Sequence, residues 1–276
     1  MTDRRTVFLE EMGLGPVWSQ RTVSAHTVEV QQDHEPLPEV TSPVVKNVRT
    51  AEASSAWSDS PVRSAAPAVS VNQVAATTGD DIAQMDWEQL KSVVSTCTKC
   101  DLCRTRTQTV FGVGDQKARW LFVGGGPGRN EDFQGLPFVG PAGKLLDNML
   151  IAMGMKRGEN TYIANIVKCR PTDASKKDRP PAAEEAAACM PYLERQIALI
   201  NPTIIIALGK TAALSLLKLD PATPVGKLRG TVHRYADRPL IVTYHPAYLL
   251  RSLKDKSKVW ADLCLAMQTY GANEPE

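Results

Sequence analysis

The sequence lacks the long apolar segments that a membrane span or a secretory signal needs. No run of 18 apolar residues occurs in the 276 residues, whereas a membrane-spanning helix takes about 20. The N-terminus, MTDRRTVFLEEMGLG, has no apolar core of the signal-peptide kind. We therefore expect no membrane association and a cytoplasmic protein. In that reducing compartment we expect the six cysteines to be metal ligands, catalytic groups or buried thiols rather than disulfides.

Residues 22–84 lack periodic apolar positions and contain a single aromatic residue, Trp57. Their Ser, Val, Ala, Pro and Glu cannot offset the entropic cost of ordering, so we expect a disordered linker there. A folded domain is expected over residues 85–271, followed by a short tail over 272–276. Residues 1–84 hold 6 Lys and Arg against 11 Asp and Glu, whereas residues 85–271 hold 26 against 17. The basic folded domain suggests a polyanionic partner.

Apolar strand-like segments alternate with helical segments along the predicted domain. The strand-like segments are RWLFVG, TYIANIV, TIIIAL and PLIVTY. The helical patterns are DWEQLKSVVSTC, AGKLLDNMLIAMG, AAEEAAACMPYLERQIALI, GKTAALSLLKL and SKVWADLCLAMQTYG. This alternation predicts an α/β fold, a three-layer α/β/α sandwich around a short parallel sheet. Ligand chemistry is then expected at the carboxyl ends of the strands.

The stretch GGGPGRNEDFQGLPFVGPAG, residues 124–143, follows the first strand and is unusually rich in glycine. Seven of its twenty residues are glycine and three are proline, so we expect a shaped loop with no helix or strand interior. Such a loop allows a close approach of the backbone to a ligand and offers free N–H donors. The string LGKT at residues 208–211 is no phosphate-binding loop, because Ile204 stands where that motif needs glycine.

The cysteine spacing suggests a metal site. Cys97 and Cys100 form a C-x2-C pair and Cys103 adds a further x2 step, while Cys169 lies in NIVKCRP and Cys189 in CMPYL. A C-x2-C loop with two distant cysteines can hold zinc or a [4Fe–4S] cluster, since thiolates suit both. The grouped cysteines also resemble part of a bacterial ferredoxin motif whose C-x3-C-P continuation is missing. Spacing alone also allows the two distant cysteines to be core thiols.

Two polar residues lie near predicted strand ends. His245 follows PLIVTY and, with His233, is one of two histidines in the domain. Its position over the ligand face suits catalysis, although a structural histidine is the commoner case. Asn165 lies near the end of TYIANIV. A fixed carboxamide there could bind a pyrimidine edge or could cap a turn.

Five motifs in a fixed order give the chain a family resemblance. After C-x2-C come GGGPGRNEDFQGLPFVGPAG, NIVKCRP, CMPYL and HPAYLL. Over roughly residues 86–271 they resemble the family-four uracil-DNA glycosylases, which carry an iron–sulfur cluster. The resemblance implies a DNA-repair enzyme that flips deoxyuridine and hydrolyses its N-glycosidic bond, leaving an abasic site. It implies no lyase step, because no motif-matched lysine is placed as a Schiff-base nucleophile, and it assigns the uracil pocket to the glycine-rich loop.

The same resemblance assigns roles to individual residues. Phe138 would stack on the flipped base and Asn165 would bind the uracil edge. His245, with N–H groups of the loop at Gly126, would stabilise the negative charge that develops on O2 of the base. Glu131 would crowd the C5 position and exclude thymine.

The resemblance also implies one [4Fe–4S] cluster with a structural role. Its ligands would be Cys97, Cys100, Cys169 and Cys189, which leaves Cys103 and Cys264 as non-ligands. The cluster would pin the first helix of the domain to segments far along the chain, with no redox step in the reaction.

The segment HPAYLLRSLKDKSK is expected to contact DNA. The apolar wedge that fills the vacated base stack would come from Leu249, Leu250 and Leu253. The cations that hold phosphates would be Arg251, Lys254, Lys256 and Lys258.

One position departs from the family pattern. The family has Glu as the second residue of GExPG, a group that positions water or stabilises the sugar cation, whereas this chain has Gly125. Losing a positioned base costs ~10² to 10⁴ in rate. We expect slow but real excision, because stabilisation of the leaving group does not depend on Gly125; recruitment of Glu131 or Asp132 as a substitute is a further possibility. The alternative is a protein that binds or recruits to uracil-containing DNA with little turnover. A zinc-stabilised nucleic-acid module is a third possibility.

The first 21 residues form a candidate partner-binding peptide. Its apolar residues at near-helical spacing include Leu9, Met12, Leu14 and Trp18. The peptide is similar to the N-terminal segment of the clamp-loader psi subunit, which docks on the chi subunit, although one extra residue precedes Trp18. The resemblance implies binding of chi, and the competing interpretation is a helix that folds back on its own domain. We expect the protein itself to be a monomer in the bacterial nucleoid.

Overall fold

The computed structural model describes residues 79–272 of the chain. The helices of this part are α1 (Gly79–Gln84), α2 (Trp87–Ser95), α3 (Arg129–Gln134), α4 (Pro141–Ala152), α5 (Ala183–Ile200), α6 (Lys210–Leu217), α7 (Pro246–Leu249) and α8 (Lys256–Gly271). The strands are β1 (Val113–Gly114), β2 (Trp120–Gly124), β3 (Thr161–Asn165), β4 (Ile204–Leu208), β5 (Val232–Tyr235) and β6 (Arg238–Thr243).

The six strands form one sheet in the order β1-β3-β2-β4-β6-β5. The four central strands are parallel, and the edge strands β1 and β5 pair antiparallel with β3 and β6. The four predicted strands are the four central ones, so the parallel sheet is confirmed. Both antiparallel edges were absent from the prediction. One edge strand has two residues, and the other, VHRY, alternates exposed and half-buried side chains.

Helices cover both faces of the sheet, which confirms the three-layer arrangement. Alternate residues of β2 enter opposite cores: Leu121 and Val123 pack with residues of α2, α5 and α6, whereas Trp120 and Phe122 pack with residues of α4 and α8. Every residue of β2, β3 and β4 is buried. Continuous apolar strands of this kind are expected for a parallel sheet that is covered on both sides.

Local signals in the sequence explain where the helices begin. Asp86 caps α2, since its carboxylate accepts a hydrogen bond from the Gln89 N–H and its own N–H donates to Gln89 Oε1. Pro141 stands at the first position of α4, where its missing N–H and fixed φ are tolerated.

Two expectations need correction. Residues 79–84, assigned to a disordered linker, form α1, and Ile82 of that helix is fully buried. The folded part therefore begins before residue 85, because Ile82 is part of the apolar core of the domain. The stretch 124–143 also contains a helix, α3, which ends at Gly135 in the left-handed conformation.

Between residues 79 and 272, none of the helices has the length and hydropathy that spanning a bilayer requires.

Candidate active site

The carboxyl ends of the four parallel strands lie side by side and carry the polar residues that the sequence singled out. Gly124 and Asn165 are paired at the ends of β2 and β3. Gly209 follows β4 with φ of +88°, and a Cβ on it would lie 2.8 Å from the His245 Cβ. The glycine therefore allows the loop after β6 to approach β4 closely.

A cavity of about 350 Å³ opens at this edge of the sheet. Its walls include Gly126, Glu131, Phe138, Asn165, Asp178 and His245. Three residues that are far apart in the sequence, Phe138, Asn165 and His245, thus share one cavity. A pocket of this size that combines an aromatic wall with several polar side chains is typical of small-molecule or base recognition.

Asn165 lies at the buried inner end of the cavity. Its side chain is 2% exposed, and its Oδ1 is the one buried side-chain polar atom without a hydrogen-bond partner in the described part of the chain. A Cβ on Gly124 would collide with this oxygen and would lie 2.7 Å from the Phe138 ring. The glycine therefore makes room for both side chains. An unpartnered buried acceptor calls for a ligand that donates a hydrogen bond.

The Phe138 ring forms part of the cavity wall, and hydrogen bonds to the backbone around Phe138 fix its position. Phe138 is in the left-handed region with φ of 54°. Arg157 donates hydrogen bonds to the carbonyl oxygens of Pro137 at 3.0 Å and Phe138 at 2.9 Å. Arg157 is itself paired with Asp147 at 2.7 Å. The aromatic ring lies 5.5 Å from the His245 ring with 28° between the two planes.

His245 presents one ring nitrogen to the cavity in a defined protonation state. Its Nδ1 accepts a hydrogen bond from the Ala247 N–H at 3.1 Å, so in the neutral imidazole Nε2 carries the proton. Burial lowers the pKa of His245 to about 4, and the neighbouring Glu131 carboxylate only partly opposes that shift. At neutral pH the side chain is a neutral hydrogen-bond donor.

Glu131 holds the loops of the cavity together. Its Oε1 accepts from the N–H groups of Val139 at 2.9 Å and Gly140 at 3.0 Å, and its Oε2 accepts from Gly128 at 3.1 Å. Three backbone donors thus engage a carboxylate that the sequence suggested as a substitute base. Asp132 lies elsewhere, since both of its oxygens accept from the Thr107 N–H at 2.9 and 3.0 Å.

Gly125 and Gly126 differ in what they face. Gly126 lines the cavity. A Cβ on Gly125 would instead lie 3.1 Å from the Thr211 Cβ on α6. A side chain at position 125 would therefore start toward α6, and the expected role of Gly125 in the reaction stays a prediction.

Four cysteines line a second, smaller cavity beside the sheet. They are Cys97, Cys100, Cys169 and Cys189. The sulfurs accept hydrogen bonds: Cys97 from the Tyr192 hydroxyl at 3.2 Å, Cys169 from Arg106 at 3.1 Å and Cys189 from the Lys168 N–H at 3.3 Å. Cys100 accepts one from the backbone of Leu102.

Across residues 79–272, no group of three or more His, Cys, Asp or Glu side chains is arranged to hold a single metal ion. Burial raises the pKa of the Cys189 thiol to about 12 and lowers the pKa of Lys168 to about 8. Cys103 and Cys264 do not line this cavity.

Two residues of the expected DNA contact are misassigned. Leu249 is fully buried, in the same core as Val259 and Leu263 of α8, so it cannot enter a base stack without opening that core. Lys256 is only 5% exposed and cannot reach a phosphate. The remaining wedge candidates are Leu250 and Leu253, which are 45% and 54% exposed, and Arg251 and Lys254 are exposed beside them.

The structure adds residues that sequence reasoning missed. Arg157 fixes the Phe138 backbone, and Asp178 lines the cavity that Phe138, Asn165 and His245 share. No motif marks Arg157. Asp178 lies in the charged run TDASKKDRPP, where composition does not tell which side chain faces the cavity. The residues expected to bind a partner, Leu9, Met12, Leu14 and Trp18, lie outside the described residues.

Comparison with known proteins identifies relatives over the folded part of the chain. The family model of the uracil DNA glycosylase superfamily matches residues 111–264. A type-4 uracil-DNA glycosylase of Archaeoglobus fulgidus is 39% identical over 188 residues, which is 66% of this chain and 92% of that protein. One from Thermotoga maritima is 44% identical over 170 residues, 60% of this chain and 85% of that protein. One from Pyrobaculum aerophilum is 38% identical over 187 residues, 66% and 93% of the two chains.

Proposed function

The chain belongs to the uracil-DNA glycosylase superfamily, and from this premise we propose that it excises uracil from DNA as a monofunctional glycosylase. The observation that carries the proposal is the single cavity shared by Phe138, Asn165 and His245, with the unpartnered Asn165 Oδ1 in its wall. Base-excision repair of deaminated cytosine is the process that such an enzyme serves.

The cavity suits an extruded uracil. The Asn165 Oδ1 can accept from N3–H of the base, and the amide N–H₂ can donate to O4. Cytosine has no N3–H and carries an amine at position 4, so it mismatches both contacts. The Phe138 ring supplies a stacking face that offsets the cost of unstacking the nucleotide, which is a few kcal/mol.

The reaction separates charge, and the cavity stabilises the negative part. When the C1′–N1 bond breaks, its electron pair leaves on the uracil ring and positive character develops on the sugar. The neutral His245 can donate its Nε2 proton in a hydrogen bond to O2, and the Gly126 backbone lies in the same wall. A water oxygen then bonds to C1′, which gives an abasic site and free uracil.

The segment after His245 is proposed to enter the DNA. Leu250 and Leu253 are exposed apolar side chains beside the exposed cations Arg251 and Lys254. Such a wedge can fill the space that the flipped nucleotide leaves, while the cations hold phosphates.

Excision is tested by single-turnover release of free uracil from uracil-containing single-stranded DNA, with wild type and Gly125→Glu compared. We expect release by both proteins, and no release by either would refute the function. The alternative of binding without turnover is not favoured, since a side chain at 125 would face Thr211 rather than the cavity. Multiple turnovers with excess substrate separate the two functions.

We propose that Cys97, Cys100, Cys169 and Cys189 hold one [4Fe–4S] cluster. The four sulfurs line one cavity, and four cysteine thiolates are the usual donor set of a [4Fe–4S] cluster. The cations Arg106 and Lys168 beside the sulfurs would balance thiolate charge. A bound cluster would fasten the segment after α2 to β3 and α5. A brown protein with absorption at about 400 nm supports this assignment, and a colourless zinc protein refutes it.

The N-terminal peptide and the cell compartment are further proposals. We propose that residues 1–22 bind the chi subunit of the replicative clamp loader and that the monomeric protein acts in the cytoplasm at the nucleoid. The support is the apolar spacing of the peptide. Pull-down of chi by this peptide, lost in Trp18→Ala, tests the partner, and capture that survives the substitution contradicts it.

A further inference from the structure

The cavity contains two carboxylates, and only one of them has both oxygens engaged. Glu131 accepts three backbone hydrogen bonds and is part of the loop framework. Asp178 is the other. Its Oδ1 accepts from Arg170 Nε at 2.6 Å, while within residues 79–272 its Oδ2 has no hydrogen-bond partner.

Asp178 is held in place by its own loop. Its backbone forms a β-bridge with Thr172, and the next residue, Arg179, donates from its N–H to the Pro171 carbonyl at 3.1 Å. The Arg179 side chain is fixed in turn by a paired contact with the Glu185 carboxylate. The carboxylate is therefore preorganised rather than carried on a free loop tip.

The free oxygen points at the glycine-rich loop. A Cβ on Gly128 would lie 3.3 Å from Asp178 Oδ2 and 2.9 Å from Glu131 Oε2. The glycine keeps this position between the two carboxylate oxygens free of a side chain. Space on this scale suits a single water molecule, and any side chain here would crowd both carboxylates.

Depth in the cavity separates the base from the sugar. Asn165 and Phe138 are 2% and 6% exposed, so the base they bind lies inside, whereas the Asp178 side chain is 51% exposed and lies at the mouth. A flipped nucleotide enters base first and remains attached to the DNA through its sugar. The sugar is therefore the part of the nucleotide that passes Asp178.

We propose that Asp178 is a catalytic residue of the excision reaction, supplying the carboxylate that Gly125 does not. The inference rests on the proposed function. Asp178 Oδ2 orients the attacking water and stabilises positive charge on the sugar as the C1′–N1 bond breaks and its electron pair leaves on uracil. The water oxygen bonds to C1′, its proton passes to the Asp178 carboxylate and then to solvent, and the uracil anion takes a proton from solvent.

The test compares single-turnover uracil release by wild type, Asp178→Asn and Asp178→Glu. We expect Asp178→Asn to lower the rate by ~10²-fold, within the range for a lost general base, and Asp178→Glu to restore part of it. Affinity for uracil-containing DNA, measured by fluorescence anisotropy, stays at the wild-type value in both variants. An unchanged rate in Asp178→Asn overturns the inference, whereas no release by wild type refutes the proposed function instead.

A purely structural role is separated by removing the other half of the ion pair. Arg170→Gln breaks the same contact but keeps the Asp178 carboxylate, so we expect it to retain much more activity than Asp178→Asn. Equal losses in the two variants overturn the catalytic role. Glu159→Gln is the matched control, since it removes an exposed carboxylate paired with Lys156 at 2.8 Å, outside the cavity. We expect the wild-type rate from it.

Discussion

Replacing Asn165 with alanine should abolish most uracil recognition without weakening the fold. The amide is 2% exposed at the base of the cavity, so no bulk water can take its place against a bound base. Uracil would then enter with its N3–H and its O4 unpaired. Each unpaired buried polar group costs about 1–3 kcal/mol, and two such groups cost about 2–6 kcal/mol.

This energy converts to a loss of about 30-fold to about 10⁴-fold, since each 1.4 kcal/mol is about tenfold. Stacking on Phe138 and the His245 hydrogen bond remain, so we expect about 10²-fold. The assay is single-turnover uracil release at saturating enzyme, with the melting temperature measured in parallel.

Stability supplies the second half of the test. The Asn165 Oδ1 has no partner in the free protein, so removing it should leave the melting temperature unchanged or raise it. Asn165→Asp is the companion variant, which should weaken uracil excision and favour cytosine, whose N4 amine can donate to the carboxylate. A rate within threefold of wild type in Asn165→Ala would refute the assignment of this residue to the uracil edge. A threefold change corresponds to roughly 0.7 kcal/mol.

Three further perturbations follow from the geometry. Because burial lowers the pKa of His245 from 6.5 to about 4, excision should show no gain as pH falls from about 8 to about 5; a rate that rises through 6.5 would indicate an imidazolium donor. The same shift makes the folded state bind that proton more weakly than the unfolded state, so His245 should reduce stability progressively below about pH 6.5, measured by urea unfolding. Arg157→Leu removes two donors to the Phe138 loop and should slow uracil release by ~10-fold. Arg157→Lys keeps the charge but not the paired donors, so its rate should lie between those of Arg157→Leu and wild type. Unchanged release in Arg157→Leu would show that the loop keeps its conformation without Arg157. Leu253→Ala should weaken excision from duplex DNA more than from single-stranded DNA, because only a duplex has a stack to fill; equal effects on both would exclude a wedge.

The central sheet could be predicted because its chemistry is local. Ile204–Leu208 is an unbroken apolar run that only a strand buried on both faces accommodates. The convergence of Asn165 and His245 followed from the rule that parallel strands present their carboxyl ends together. The edge strand Val232–Tyr235 escaped prediction because its side chains alternate in exposure and its burial depends on the neighbour β6.

Other features depend on how distant segments meet. Leu249 and Leu250 are adjacent and equally apolar, yet Leu249 is fully buried and Leu250 is 45% exposed. The difference arises because the short helix α7 places Leu249 in the core that α4 and α8 form. Asp178 reaches the cavity only because its loop folds back on Thr172. Glu131 could be named from a motif, but its three backbone donors come from two separate loop segments.

The most direct measurement is the amount of free uracil that the wild-type protein releases from an oligonucleotide with one deoxyuridine, quantified by mass spectrometry beside the same oligonucleotide with thymidine. The shared cavity of Phe138, Asn165 and His245 predicts one free uracil per oligonucleotide and an intact strand with an abasic site. Glu131 in the same wall, expected to crowd the C5 position, predicts that no thymine is released. DNA that keeps its uracil after prolonged incubation with excess protein would contradict the account.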